Sequence, residues 1–372
     1  MKIAIIRQRY TAFGGAERFT DRALKALLDQ GAAVSVIARK WSGEGGFPVR
    51  ECNPFHLGRT WRDWSFRRAV CAIANEYDLV QSHERIPCCD IYRAGDGLHR
   101  EWLRQKARIT GPVHRLGTAL SPYHRYVLNA EEALFTSPRL RAVICNSKLI
   151  REEIKTHFGL PDERLPVLYN GVDTTTFHPD LHDRHRTAIR TELGVSNDVT
   201  VFLFVGSGFL RKGVAGAIAA LRHAPESTQL WIIGKDRNLP HYRKLAADLG
   251  SRVRFLGPQT DVKPYYGAAD ALLLPTLYDP FPNVILEAMA SGLPVITSLK
   301  CGAVDIIEQG INGFVHDALN FAQMGESLRA LCDPATAARI GASARNSVAD
   351  WTLERVADQT LDLYRQLSAD AG

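Results

Sequence analysis

The sequence predicts an α/β protein made of two doubly wound, Rossmann-like domains with parallel sheets. Three observations predict it. Short β-branched runs alternate with helical periodicity, the pattern of strand–helix–strand units. The alternation stops near Pro166–Pro179 and restarts at Val199. The chain has 372 residues, more than one hydrophobic core of ordinary size organises.

Ile3–Ile6 reads as the first strand. Gly14-Gly15 turns it into a helix, with Ala16, Phe19, Ala23, Leu24, Leu27 and Leu28 at helical spacing. Gly31 stops that helix. Val34–Ala38 is the second strand. Asp78-Leu79-Val80 ends another, Cys89–Tyr92 forms a further one, and Arg141–Cys145 is ended by Asn146-Ser147. The second domain has strands at Val201–Val205, Leu230–Ile233, Val253–Leu256, Ala271–Leu274 and Pro294–Thr297. An amphipathic helix, Thr352–Leu367, closes the chain with no strand after it. The predicted domains are 1–166 and 167–351. Their strand carboxyl ends are expected to face a central cleft.

Composition narrows the function classes. Hydrophobic content of 45% and charged content of 23% are those of a soluble globular protein. No apolar run approaches the ~20 residues of a membrane span. Met1–Arg7 is too short for a secretion signal. Seven cysteines without metal spacing read as reduced thiols in a cytoplasmic protein. No Asp-x-Asp triplet is present to hold a metal-bound diphosphate. Residues 1–164 carry 27 Lys+Arg and 18 Asp+Glu, net +9, which leaves −3 for the remainder. A basic first half suits an anionic partner surface.

Two motifs carry the chemistry. Residues 200–213 run through a buried-type strand into Gly206-Ser207-Gly208, then Arg211-Lys212-Gly213. The glycines allow a tight turn, and paired cations at a strand's carboxyl end suit a diphosphate. Cations at a helix start oppose its dipole unless an anion offsets them. The second motif is Asp279-Pro280-Phe281-Pro282-Asn283-Val284-Ile285-Leu286-Glu287. Its prolines put Asp279 in a loop and let Asn283 open a helix. Unpaired N–H groups of that first turn fit a phosphate. Glu287, one turn in, can accept from sugar hydroxyls. A capped helix with one solvated Glu is the plainer reading of this segment.

On these residues the chain resembles the retaining, nucleotide-sugar-dependent glycosyltransferases of family 4, which have the GT-B fold. Phe13-Gly14-Gly15-Ala16-Glu17 and Val167-Leu168-Tyr169-Asn170-Gly171-Val172-Asp173 also match that family, so the likeness covers essentially the whole chain. Within the family it is similar to the glucosyltransferases that add the first glucose to heptose in the lipopolysaccharide inner core. That finer likeness rests on length, Arg93-Ala94-Gly95-Asp96-Gly97 and the basic segment after it. In one departure, Asp279 stands where the family usually has Glu, which leaves the hexose open.

The resemblance implies an acceptor-binding first domain, with helix 352–372 packing back on it, and a donor-binding second domain. The donor is then a UDP-sugar, a co-substrate needing neither cofactor nor metal. Arg211 and Lys212 stabilise the departing diphosphate, helped by N–H groups of Asn283, Val284 and Ile285 and by Gly208 and Gly15. Glu287 holds the ribose, Asp279 the hexose, and the base lies near Leu256. His83 and Asp96 compete for the position beside the reacting carbon, and Asp96 is preferred. A His after a strand and an Asp between glycines are, however, also ordinary structural and turn residues.

Residues 98–128 place Arg100, Arg104, Lys106, Arg108, Arg115 and Arg125 against the single acid Glu101, interleaved with Trp102, Tyr123 and Tyr126. This suits an anionic membrane surface, and a solvated helical hairpin is the plainer reading. The expected partners are a lipid-linked saccharide and the inner face of the cytoplasmic membrane, with no nucleic acid. The alternatives are another family-4 hexosyltransferase of capsule or exopolysaccharide synthesis, a dinucleotide-dependent oxidoreductase, and a non-catalytic binding protein. The oxidoreductase lacks support in the glycine spacing, which is Gly-x-Gly-x4-Gly.

Overall fold

The structure, a computed structural model, describes residues 2–10, 33–41 and 48–369. The Gly14-Gly15 loop, its helix and Gly31 lie outside the described residues. The chain divides into two compact units. One is Met1–Asn170 with Leu353–Gly372, and the other is Gly171–Thr352.

The first unit's main sheet comprises β1 (Lys2–Ile6), β2 (Ala33–Ala38), β3 (Val49–Glu51), β4 (Leu79–Ser82), β5 (Ile91–Arg93) and β6 (Ala142–Ile144). All its pairings are parallel, in the spatial order β3-β2-β1-β4-β5-β6. Ile3, Ala4, Ile5 and Ile6 are all buried, because helices cover both faces of a parallel sheet and every side chain of a central strand must be apolar. The closing helix, Leu353–Ala369, belongs to this unit. It sets Leu361 and Tyr364 into the cluster of Ile3, Ile5, Val34 and Leu79. The Tyr364 hydroxyl donates to Gln81 Oε1 at 2.5 Å.

The second unit repeats the plan with β7 (Thr200–Val205), β8 (Thr228–Ile233), β9 (Val253–Gly257), β10 (Ala271–Leu274), β11 (Val295–Ser298) and β12 (Gly313–His316). Its order is β9-β8-β7-β10-β11-β12, again all parallel. In each unit the winding direction reverses between the first and fourth strands. There the loops leave in opposite directions and open a crevice where ligands bind in such sheets.

Several expectations need correction. Leu79 and Val80 begin β4 instead of ending a strand, while Asp78 accepts from the backbone N–H of Lys2 at 2.7 Å. The edge strands β3 and β12 were not anticipated, since three- and four-residue edges carry little periodicity. Residues 98–128 contain two short helices, His99–Ala107 and Pro112–Leu120, and the start of Pro122–Phe135. The seven cysteines are not all thiols. Cys71 and Cys88 are bonded, with an S–S distance of 2.11 Å. They lie 17 positions apart, and only packing of the Gly58–Ile73 helix against the loop after β4 brings them together.

Candidate active site

The second unit's crevice is built from the loops after β7 and β10. After β7 the chain makes one helical turn, Phe209–Lys212, started by Gly208 at φ 76° and stopped by Gly213 at φ 82°. Gly213 has no substitute, because a Cβ there would lie 1.9 Å from the Pro275 carbonyl oxygen. That close approach ties the turn to the β10 loop. The Thr276 hydroxyl (2.8 Å) and Leu277 N–H (2.9 Å) both donate to the Arg211 carbonyl. From the β8 side, Asp236 Oδ2 accepts the Phe209 N–H at 2.7 Å. The cation pair is thus held at three points.

Both cations converge on Asp279. Lys212 Nζ lies 2.6 Å and Arg211 Nη2 3.5 Å from its Oδ2. Asp279 is only 4% exposed. Burial alone would push its carboxyl up, but Lys212 and then Arg211 override that and hold it below the ordinary range. The Lys212 ammonium and the Phe281 N–H both bond to this carboxylate, so it is ionised and partnered. An ionised carboxylate has about four lone-pair sites, so it can also accept from an incoming hydroxyl.

Asn283 opens the Asn283–Ala290 helix directly after Pro282. The expected cradle does not include Ile285, whose N–H donates to the Pro282 carbonyl at 3.1 Å. A tight first turn consumes that donor. Glu287 does lie one turn in, and it is not a loose surface acid. Tyr266, buried to 1% exposure, donates its hydroxyl to Glu287 Oε2 at 2.9 Å. Burial and then Glu287 push the Tyr266 hydroxyl well above its ordinary value, which keeps it a donor. Leu256, at the end of β9, is partly exposed and its carbonyl accepts from Gln259 at 2.8 Å.

The first unit's crevice is a polar cavity of about 350 Å³. Its floor is the loops after β1 and β4, with Arg7, Gln8, Glu84 and Arg85, and Asp96 lines it too. Asp96 is exposed, whereas Arg85 is fixed by Glu131 at 3.0 Å and the Gly97 carbonyl at 2.7 Å. His83 donates its backbone N–H to Ile6 at 3.0 Å. Burial, then Arg7 and Arg93, push its imidazole well below the ordinary value, so it is neutral. Tyr123 and Tyr126, expected at a membrane surface, line this cavity instead, with Arg59 stacked over the Tyr123 ring at 4.6 Å.

Residues 13–176 match the model of Glycosyltransferase Family 4, and residues 199–333 match that of Glycosyl transferases group 1. The chain belongs to glycosyltransferase family 4. The lipopolysaccharide glucosyltransferase WaaG of Escherichia coli K12 is 28% identical over 340 residues, covering 88% of this chain and 89% of that protein. The lipopolysaccharide core biosynthesis glycosyltransferase LpsE of Rhizobium meliloti is 26% identical, covering 93% and 96%. The crystal structure of WaaG, a glycosyltransferase involved in lipopolysaccharide biosynthesis, superimposes with a TM-score of 0.81 at 26% identity, covering 97% of this chain and 99% of that one. This glycosyltransferase therefore has the two-domain GT-B fold and is related to lipopolysaccharide core enzymes. The oxidoreductase and non-catalytic readings fall with that assignment.

Of the residues singled out from sequence, Gly208, Arg211, Lys212, Asp279, Asn283, Val284 and Glu287 gather at the second unit's crevice. His83 and Asp96 belong to the first unit, and Gly15 lies outside the described residues. Asp236 and Tyr266 were missed. An aspartate two residues past a strand-ending glycine was a weak available signal. Tyr266 had none, being 21 positions from Glu287.

Proposed function

We propose that this glycosyltransferase is a retaining, metal-independent enzyme that moves glucose from UDP-glucose to a hydroxyl of the lipopolysaccharide core. The observation that carries the reading is the convergence of Arg211 and Lys212 on Asp279, in the loop that leads into the Asn283–Ala290 helix. The leaving group is a nucleoside diphosphate, and its departure needs negative charge stabilised on the departing oxygen. Two fixed cations and the first-turn N–H groups of Asn283 and Val284 supply that charge, in the role that an Asp-x-Asp-bound metal serves elsewhere. Glu287, oriented by Tyr266, accepts from the ribose hydroxyls. Asp279 offers its carboxylate to a hydroxyl of the hexose. The base rests near Leu256.

The first unit binds the acceptor. Asp96 stands beside the reacting carbon, and neutral His83 lies nearby. Attack on the face from which the diphosphate leaves retains configuration, and the diphosphate helps take the acceptor proton. Residues 98–128 dock this unit on the anionic inner face of the cytoplasmic membrane. Arg104, Arg108, Arg115 and Arg125 are exposed for that purpose, and so are Val113, Leu116 and Leu120. Arg100 does not take part, since Glu132 at 3.0 Å and the Phe158 ring at 4.3 Å engage it.

The test is a screen of radiolabelled nucleotide sugars against truncated lipopolysaccharide acceptors. Glucose from UDP-glucose should reach heptose-terminated core. Transfer of another hexose would shift the donor assignment toward the departure at Asp279. UDP binding without transfer to any core acceptor would favour a capsule or exopolysaccharide acceptor.

A further inference from the structure

We propose that the start of the Gly58–Ile73 helix, with the residues just before it, is a second membrane-docking surface that seats Trp61 and Trp64 in the headgroup layer of an anionic phospholipid bilayer. The proposal rests on the membrane reading above and adds a contact outside residues 98–128.

Phe55, Leu57, Trp61 and Trp64 are 73%, 67%, 42% and 46% exposed. Trp61 and Trp64 are three positions apart and share one face of the helix. The Phe55 ring stands edge-on to Trp61 with centroids 5.6 Å apart. Four large apolar side chains grouped at a surface mark an interaction site.

The chemistry around them selects a bilayer. Arg68 lies over Trp64 at 5.7 Å, and Arg59 is exposed. The one carboxylate in the helix, Asp63, is bonded to Arg62 at 2.8 Å and accepts from Gln8 at 3.1 Å, so the outward charge is positive. Indole rings beside arginines suit the depth where headgroup phosphates meet acyl chains. A symmetric pairing of two copies would set Arg59 and Arg68 against themselves.

Continuity supports the same partner. The Arg59 guanidinium packs on Tyr123, the second residue of the Pro122–Phe135 helix. That helix follows directly on Pro112–Leu120, which has no buried residue and exposes Val113, Leu116 and Leu120. The first unit's cavity is lined from both sides of this junction, by Arg62 and Arg67 and by Tyr123 and Tyr126. Docking at both places would bring the cavity to the lipid surface, where the sugar of a lipid-linked acceptor is found.

The experiment is co-sedimentation of the full chain with phosphatidylglycerol-containing vesicles at about 0.1 M salt. The double variant Trp61→Ser/Trp64→Ser should partition about tenfold more weakly, with an unchanged melting temperature. The conservative Trp61→Phe/Trp64→Phe variant should still bind. It should also lose most of the tryptophan quenching that brominated acyl chains cause in the wild type. Equal binding of wild type and the Ser variant, or equal quenching of wild type and the Phe variant, overturns the proposal. A lipid-free dimer of the wild type that the Ser variant abolishes also overturns it, in favour of a second copy. If the wild type ignores anionic vesicles altogether, the membrane reading itself fails.

Discussion

The crevice of the second unit and that of the first are cut into sheets of identical strand order, yet they hold charge differently. In the second, Lys212 and Arg211 are already closed on a buried Asp279, and hydrogen bonds from the loops after β8 and β10 fix the cation turn. In the first, Asp96 is exposed over an open cavity, and His83 is half-buried and neutral. A rigid, charge-compensated site suits a ligand that always brings the same diphosphate. An open one suits a partner whose shape varies. Strand order places a crevice, and the loop residues alone decide its electrostatics.

The largest expected effect separates the two crevices by reaction. Lys212→Ala should lower both sugar transfer and acceptor-free donor hydrolysis by about a hundredfold or more, as for loss of a charge contact in the transition state. Asp96→Asn should damage transfer and spare hydrolysis. Steady-state rates with and without acceptor test this, and equal loss of hydrolysis in both variants would break the contrast. Because Lys212 also compensates buried Asp279, its removal should lower the melting temperature too, by less than the rate loss implies, since Arg211 remains.

Next comes the second unit's preorganisation. Glu287→Gln should weaken UDP binding, because a carboxylate accepts from hydroxyls more strongly than an amide does. Tyr266→Phe should weaken it less, by roughly 1 kcal/mol, through loss of one orienting hydrogen bond. Titration calorimetry resolves both. UDP affinity that is unaltered in either variant would remove Glu287 from the ribose.

A smaller effect concerns acid. His83 has its value pushed well below the ordinary 6.5 by burial, then Arg7 and Arg93, and burial with Arg85 takes His99 to about 3. The unfolded chain therefore binds these protons first. Their stability contribution is present above about pH 6.5 and is lost as pH falls below it. His124 shifts the same way in this unit, and His316 does so in the second. Asp279, lowered below 3.8 against its own burial by Lys212 and Arg211, contributes stability that is lost only below that pH. Hydrogen exchange between pH 7 and 5 should thus show β1 and β4 losing protection before β7 and β10. The reverse order would contradict the charge assignments. The smallest expected effect is none at all. Excess EDTA should leave transfer unchanged, and activity restored only by added Mn²⁺ would show that Arg211 and Lys212 are insufficient.

Much of the second unit's crevice was legible because its signals are local. Gly206 to Gly213 and Asp279 to Glu287 each lie within ten residues, and glycine, proline and charge act on backbone geometry at that range. The rest depended on contacts between distant positions. Tyr266 meets Glu287 by a side-chain hydrogen bond between two helices, and Cys71 meets Cys88 through a helix on a loop. The basic run 98–128 looked uniform in sequence, but Glu131 and Glu132, from a later helix, withdrew Arg100 from its surface.

By itself, the sequence determined two parallel-sheet units, the glycine-bounded cation pair and the proline-bounded acid. Apolar runs and turn residues settle their own conformation before any tertiary contact forms. Only the tertiary structure decided that both cations close on Asp279, that Ile285 spends its N–H on Pro282, that Tyr123 and Tyr126 turn into a cavity, and that Trp61 and Trp64 stay outside. Each of these is a choice of partner, and burial and charge between remote segments fix it, which no local pattern encodes.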